Sequence, residues 1–491
     1  MTIAPTSSSS RAERRAAAGR SRAERRAAAG RFRQRGLGER LFLLLLGPVT
    51  VAVLLWRFVS AVPRVRFDDA VLCLLDVAPP RTLGAPLWPA HAWTAAACSP
   101  ADGTATVSSA ALPFRLAELL TPFVTGAAGL DVRLAAAVIA LVLAVVVVAG
   151  TLAVPGRLVV RVGAAVLAVG ALVDPWSVRT LLAAGPESAA LLGAAATAVS
   201  AAWLPRRPFV ATAAITVSAA SWVTAAPTLA WVVLPVVTAV VVVVVVRATG
   251  VDRVVGLAVA GAAVAALVTS AWTGAHLASP DDGVDARTRH VQVVASVIGS
   301  DAARATFGLG PGTGDGSIRD GDPDPAFATL DDLDLVRAAV VHPATTVVLA
   351  DRAVSALLDP DVDSPDTGAS PVTVAAGALA SLPLLALGLH LAVAASAAAL
   401  TVRRRLGSRA SGVGIAALVM TSSSWLVFWA WVVTGDPADP VPAVVFTTTT
   451  LALVPLLPVQ LAVLLRSGPA VAGRQRHRRL VLTTARTGAH R

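Results

Sequence analysis

The sequence contains no lysine and no tyrosine, and only two cysteines and two methionines in 491 residues. A phosphate loop of the G-x-x-x-x-G-K-[ST] kind needs a lysine amine, as does a pyridoxal Schiff base, so both chemistries are excluded. Charge is also scarce: 14% of residues are charged, against about a quarter in ordinary soluble domains. Aromatic residues do not interleave with the basic ones, apart from Phe32 at the edge of the basic arm, which removes the stacking platform a nucleic-acid binder uses.

What is present is apolar. Hydrophobic residues make up 55% of the chain and the mean hydropathy is +0.71. They collect in runs such as "LAAAVIALVLAVVVVAGTLAV" and "LAWVVLPVVTAVVVVVVV". Runs of about 20 apolar residues can cross a bilayer core about 30 Å thick. The expected fold class is an all-α polytopic membrane protein. Ten spans are predicted, near 41–62, 132–154, 158–173, 188–204, 209–225, 228–246, 254–272, 371–400, 411–433 and 441–465.

Arginine supplies every basic charge beyond histidine, and its placement predicts orientation. The first 40 residues carry "SRAERRAAAGR" twice in tandem, Ser10–Arg20 and Ser21–Arg31. The short loops "PGRLVVR", "PRRP", "RATGVDR" and "RRRLGSR" and the tail "RQRHRR" are Arg-rich, whereas "TAAP" and "GDPADPVP" hold none. Cytoplasmic loops are the basic ones, so both termini are expected in the cytoplasm of a cell with a plasma membrane of bacterial type. The basic arm then faces an anionic leaflet. It is too long, and the first span too extended, for a cleaved signal peptide. The expected organisation is a basic cytoplasmic tail (1–40), a membrane domain (41–272) with a first outer loop (63–131), an extracytoplasmic mixed helical and irregular segment (273–370) able to form a cap, C-terminal membrane helices (371–466), and a second basic cytoplasmic tail (467–491).

The first outer loop opens with "PRVRFDDAVLCLLD", Pro63 to Asp76. As a helix, this stretch puts Asp69, Cys73 and Asp76 on one side and Phe67, Val71, Leu74 and Leu75 on the other. Asp68 is turned about 100° from Asp69, so the two carboxylates do not face one site. Carboxylates in a first helical turn also serve simply as dipole complements. Glu187 in "AAGPESAALL" and Asp174 with Arg179 in "VDPWSVRT" fall at the same predicted membrane face. Carboxylates and arginine meeting at a lipid–water boundary can supply a base and an anion clamp for a phosphate-linked substrate. Each alone is equally an ordinary helix cap or interfacial anchor. Both cysteines, Cys73 and Cys98, lie in this loop. An oxidising compartment allows a disulfide there, worth about 3 kcal/mol to the loop, with two buried thiols as the alternative.

Other signals carry less. "FGLGPGTGDGS" has no correctly spaced G-x-G-x-x-G. Asp320, Asp322, Asp324 and Asp331 fit positions of a calcium loop, but Pro325 stands where the template needs glycine and Asp331 where it has glutamate. His91, His342 and His390 have no i,i+4 pairing, so no zinc site is expected. No specific ligand set for a metal emerges, although a divalent cation remains compatible with the acidic groups. His390 falls inside the eighth predicted span, where an ionisable group is either functional or a neutral hydrogen-bonded histidine.

The order of elements over about residues 41–465 resembles the polytopic GT-C-type glycosyltransferases, and more narrowly the bacterial WsfD-like glycan-biosynthesis hexose transferases. "FDDAVLCLLD" occupies the place of their first-loop acidic motif, "LVDPWSVRTLLAAGPESAALL" is similar to their D-P…E stretch, and "RHVQVVASVIGSDAARATFGLG" and "VVHPATTVVLADRAVSALL" to their outer loop. The resemblance implies transfer of a sugar from a polyprenyl-phosphate donor to a glycan acceptor at the outer face. It makes Asp69 the base and Asp68 its companion. Glu187 and Arg179 become contacts to the donor phosphate, with Asp174 and Arg66 beside them. A transporter or flippase of lipid-linked glycan, or a non-catalytic scaffold, are the other functions compatible with such a chain.

Overall fold

The computed structural model describes residues 37–60, 75, 77–78, 92–95, 109–126, 129–156, 158–183, 185–225, 232–247, 251–277, 291, 294, 297, 306–307, 330, 332–358, 370–402, 407–434 and 440–466. Two compact units are distinguished, Met1–Val49 and Thr50–Arg491. The division falls inside the first helix, α1 (Leu37–Val59), just after Pro48, which has no N–H to donate to the helical ladder. In the first unit, Leu41, Leu44, Leu45 and Val49 of α1 are exposed.

Among the described residues of the second unit, helices predominate beside three very short strands. After α1 come α2 (Leu112–Val124), α3 (Val132–Ala153), α4 (Leu158–Leu172), α5 (Pro175–Leu182), α6 (Pro186–Trp203) and α7 (Pro208–Ala225). They are followed by α8 (Leu234–Arg247), α9 (Val251–Leu277), α10 (Asp332–Val341), α11 (Pro343–Leu358), α12 (Pro371–Ala380), α13 (Pro383–Val402), α14 (Gly407–Thr434) and α15 (Pro440–Arg466). Proline opens α5, α6, α7, α11, α12, α13 and α15. At that position its missing N–H costs nothing and its fixed φ favours the first turn. In a bilayer the helix satisfies every interior backbone group locally, which is why such apolar sequences fold this way.

Glycine sets how closely the helices approach. A Cβ on Gly412 of α14 would lie 2.1 Å from the carbonyl oxygen of Ala202 in α6. One on Gly193 of α6 would lie 2.8 Å from Trp222 Cβ in α7, and one on Gly414 of α14 would lie 2.9 Å from Ala397 O in α13. Small residues at helix contacts let backbones pack where lipid offers no hydrophobic drive between helices.

Each predicted span overlaps a helix, but among the described residues five are long and apolar enough to cross a membrane: Leu41–Val59, Val132–Ala153, Pro383–Val402, Arg409–Val433 and Val441–Leu465. The number rises to seven if the bent pairs α4–α5 and α10–α11 each make one span. The eighth predicted span is two helices, because α12 stops at Ala380 and Pro383 starts α13. The seventh and earlier segments at 208–224, 234–243 and 254–270 are shorter apolar helices.

The described parts of segment 273–370 do not stand apart from the bundle. Val291, Val294, Phe307, Leu335, Leu349 and Leu357 share an apolar cluster with Trp222, Phe428, Trp431 and Phe446. The described parts of 63–131 include a small sheet. Strands β1 (Val77–Ala78), β2 (Ala92–Ala95) and β3 (Leu130–Asp131) form an antiparallel sheet in that order, with Ala78 opposite Thr94 and Trp93 opposite Leu130. The last pairing fastens it to the start of α3. Strands of two residues leave no alternation for a sequence reading to detect.

Candidate functional site at a helix break

Between α4 and α5 the chain turns by 64°. The cause is local: Asp174 precedes Pro175, whose ring keeps the preceding residue out of the helical region, and Asp174 has ψ 139°. The break frees the carbonyl at the end of α4 and the N–H groups at the start of α5. Arg57 of α1 donates its Nε–H to Val173 O at 3.0 Å. Asp174 Oδ1 accepts from Trp176 N at 3.0 Å, in the first turn of α5.

The same carboxylate reaches much farther along the chain. Asp174 Oδ1 also accepts from Ser370 Oγ at 3.0 Å, and Oδ2 accepts from Val372 N at 3.3 Å. Ser370 is the N-cap of α12 and forms a reciprocal capping box with Thr373. One carboxylate, 5% exposed, therefore serves the N-termini of two helices whose positive ends favour an anion. Of its roughly four acceptor positions, three are taken by protein donors. Asp174 thus links the starts of α5 and α12, as follows from the free N–H groups that each helix start presents.

Arg179 lies in the last turn of α5 and is half-buried, and Glu187 lies buried in the first turn of α6. The last turn of α5 and the first turn of α6 are thus separated in sequence by residues 183–185. Leu75, the described residue of "FDDAVLCLLD", is helical and 1% exposed. It packs in the same apolar cluster as Phe58 of α1, Val178, Leu181 and Leu182 of α5 and Leu191 of α6. Asp174 lies at the break itself, Arg179 in the last turn of the helix that follows it and Glu187 in the first turn of the next. Asp68, Asp69, Arg66, Cys73 and Cys98 lie outside the described residues, as do His91 and Asp320, Asp322, Asp324 and Asp331. Among the described residues no three His, Cys, Asp or Glu side chains converge as metal ligands.

A second polar set lies within the bundle. His390 of α13 donates from Nδ1 to Ala386 O at 2.9 Å, and its Nε2 is 3.0 Å from Ser424 Oγ of α14 and 3.4 Å from Thr450 Oγ1 of α15. A carbonyl only accepts, so Nδ1 carries a proton, while Nε2 faces two hydroxyls that can each donate or accept. Phe446 stacks on it at 5.4 Å. Farther along, Ser396 donates to Gln460 Oε1, while Gln460 Nε2 and Thr421 Oγ1 are buried without a protein partner. The sequence marks His390 as an intramembrane ionisable group; its hydroxyl partners, 34 and 60 residues away, leave no local signal.

Helices of this length and apolarity, with a broken pair and buried polar sets between them, are the build of a helical multi-pass membrane protein. No protein-family profile, no curated protein and no solved structure matches the chain.

Proposed function

We propose that the protein is an integral-membrane glycosyltransferase that moves a sugar from a polyprenyl-phosphate donor to a cell-envelope glycan acceptor on the outer face. In this reading ten helices span a bacterial plasma membrane, both termini are cytoplasmic, and the break between α4 and α5 faces outward. The observation that carries it is the burial of Leu75 in the cluster that also holds α5 and the start of α6. Six residues of chain, at most about 20 Å when extended, separate Asp69 from that anchor. The acidic motif is thereby tethered to the corner that bears Arg179 and Glu187.

In the proposed reaction Asp69 takes the proton of an acceptor hydroxyl as its oxygen bonds to the anomeric carbon. The bond from that carbon to the phosphate oxygen breaks, and polyprenyl phosphate leaves with the electron pair. Arg179 and Arg66 offer guanidinium donors to the phosphate, a geometry suited to bidentate contacts. Glu187 and Asp68 support them, and Asp174 holds α5 so that Arg179 keeps its place.

The test is sugar transfer from polyprenyl-phosphate donors in membranes containing wild type or Asp69→Asn. The expected result is transfer by the wild type and a drop of at least 100-fold in the variant, in line with loss of a general base (about 10²–10⁴-fold). Equal transfer by the two removes Asp69 as base. No transfer with any donor favours a transporter or flippase, the reading supported by the buried set of His390, Ser424, Thr450, Gln460 and Thr421 in α13–α15, or a scaffold. Movement of a labelled lipid-linked glycan across proteoliposomes separates those two.

A further inference from the structure

Helix α2 carries an apolar face that no other part of the protein covers. Leu112, Leu116, Leu119, Leu120, Phe123 and Val124 are all exposed, Leu119 by 67% and Phe123 by 87%. At about 100° per residue, Leu112, Leu116, Leu119 and Phe123 fall within an arc of about 60°. Phe114, Ala117 and Thr121 lie on the opposite side and are buried. Between those two sides Arg115 Nη1 pairs with Glu118 Oε2 at 2.6 Å, both side chains partly exposed. The helix thus has three sectors, one against protein, one charged and one apolar.

Contacts along its length and at its two ends fix its position. The buried side packs along α3, where Phe114 and Ala117 join the apolar cluster of Ala135, Ala136, Ile139 and Ala140. In the last turn of α2, Thr121 Oγ1 accepts from Asp131 N at 3.1 Å, just before α3 starts. Ahead of the first turn, Ser109 donates to Ser221 O near the end of α7. Those two anchors lie at the same end of the bundle. Helix α6 ends beside the end of α3, for Trp203 Nε1 donates to Ala149 O at 3.0 Å and Arg206 Nη2 to Ala153 O at 2.8 Å. Helix α7 runs back along α6, with the Thr197 and Ser218 hydroxyls 2.9 Å apart, and so finishes on the side where α3 begins.

The depth follows from α3. Its 22 residues rise about 33 Å, little more than a bilayer core of about 30 Å. The whole helix is then needed to cross, and Ala135 to Ala140 lie about 5–12 Å below its start. Residues 132–140 hold no exposed side chain, whereas Leu141, Val142 and Val145 beyond them are exposed, as on a surface that meets lipid. Helix α2 lies against that first half of α3 and turns its own apolar row outward.

We propose that α2 is a lipid-binding helix, its row of Leu112, Leu116, Leu119, Leu120 and Phe123 set among the acyl chains of the leaflet that meets the start of α3. Acyl chains are the occupant because the row continues the apolar surface of a spanning helix and contains no polar side chain. Against water it would form a patch of a size that soluble surfaces rarely carry. The sector of Arg115 and Glu118 then faces the headgroups, as in a helix lying about 5–10 Å into the boundary. This placement holds whichever reaction or transport the bundle performs. It puts part of the segment 63–131 in lipid instead of water.

The test uses the unaltered full-length protein in phosphatidylcholine nanodiscs. One sample carries a photoactivated diazirine on the phospholipid acyl chain, and another receives a water-soluble diazirine. Trypsin cuts after Arg115 and Arg133, so residues 116–133 are read as one peptide and the labelled positions are placed by fragmentation. The acyl-chain label is expected on Leu116, Leu119, Leu120 and Phe123 at about 5-fold or more over Ala117 and Thr121, as for a face sunk in lipid. The water-soluble label is expected at Glu118 and about 5-fold weaker on the row. Acyl-chain label no stronger on the row than on Ala117 and Thr121, as cover by a second copy would produce, overturns the proposal. So does water-soluble label on the row as strong as at Glu118, which would place the face in water.

Discussion

At one end of α4, Asp174 and Arg57 each meet a helix terminus of the opposite sign; at the other, Arg161 and Arg206 meet the C-terminus of α3. Both ends use the same physics, a charged side chain set against the partial charge of exposed backbone groups. They differ in arrangement. At the break one anion answers two helix N-termini and one cation answers a C-terminus, so the chain supplies its own counterparts. At the other end the last carbonyls of α3 are met by two cations, Arg206 and Arg161, that come from different elements. The first end joins two helix starts through one side chain, whereas the second closes one helix end with two.

The largest expected disruption is at the break. Asp174→Ala removes acceptors from two helix starts at once and should cost about 3 kcal/mol, measured as loss of resistance to thermal or detergent unfolding. Asp174→Asn, which keeps one oxygen, should cost less than half as much. Equal losses in the two variants would show that the charge, not the hydrogen bonds, couples α5 to α12.

Gly412→Ala comes next. Its methyl group meets the Ala202 carbonyl, and such overpacking costs about 2 kcal/mol. Thermal unfolding measures it, and an unchanged melting temperature would show that α14 moves off α6 without cost.

Arg57→Ala should cost about 1 kcal/mol, the scale of one cation at a helix C-terminus. Thermal unfolding measures the loss, and a melting temperature unchanged by the substitution would remove Arg57 as the brace of that C-terminus. Smallest is Glu118→Gln, which breaks the 2.6 Å pair with Arg115 on the surface of α2. A partly exposed i,i+3 pair is worth under about 0.5 kcal/mol, so thermal unfolding should register almost no change.

Parts of these sites are plain in the sequence. Asp174 before Pro175 reads as a span terminator, and the helix does stop there. Leu75 belongs to the apolar side of "FDDAVLCLLD", and it is buried. The short loop that holds Arg206 stands out as basic. What does not show is partnership. Nothing near residue 174 announces Ser370 or Val372, because the link spans 196 and 198 positions. Nothing in "PRRP" says that Arg206 meets the end of α3, because that link spans 53 positions. Helix α2 was also open to detection, with Pro113 at its start and Phe114, Ala117 and Thr121 spaced along its buried face.

By itself the sequence determined the helical, membrane-spanning character of the chain. Long apolar runs demand a backbone that satisfies its own hydrogen bonds, and prolines mark where many helices begin. It also determined the segregation of charge, with arginine in one set of loops and most carboxylates in the other. The tertiary structure alone decided which charges are answered. Helix termini expose partial charges whose partners come from whichever elements pack beside them, and that packing rests on contacts between residues far apart in the chain. A charged side chain therefore becomes a brace between two helix starts at Asp174 and, at Arg206, the closure of a single helix end.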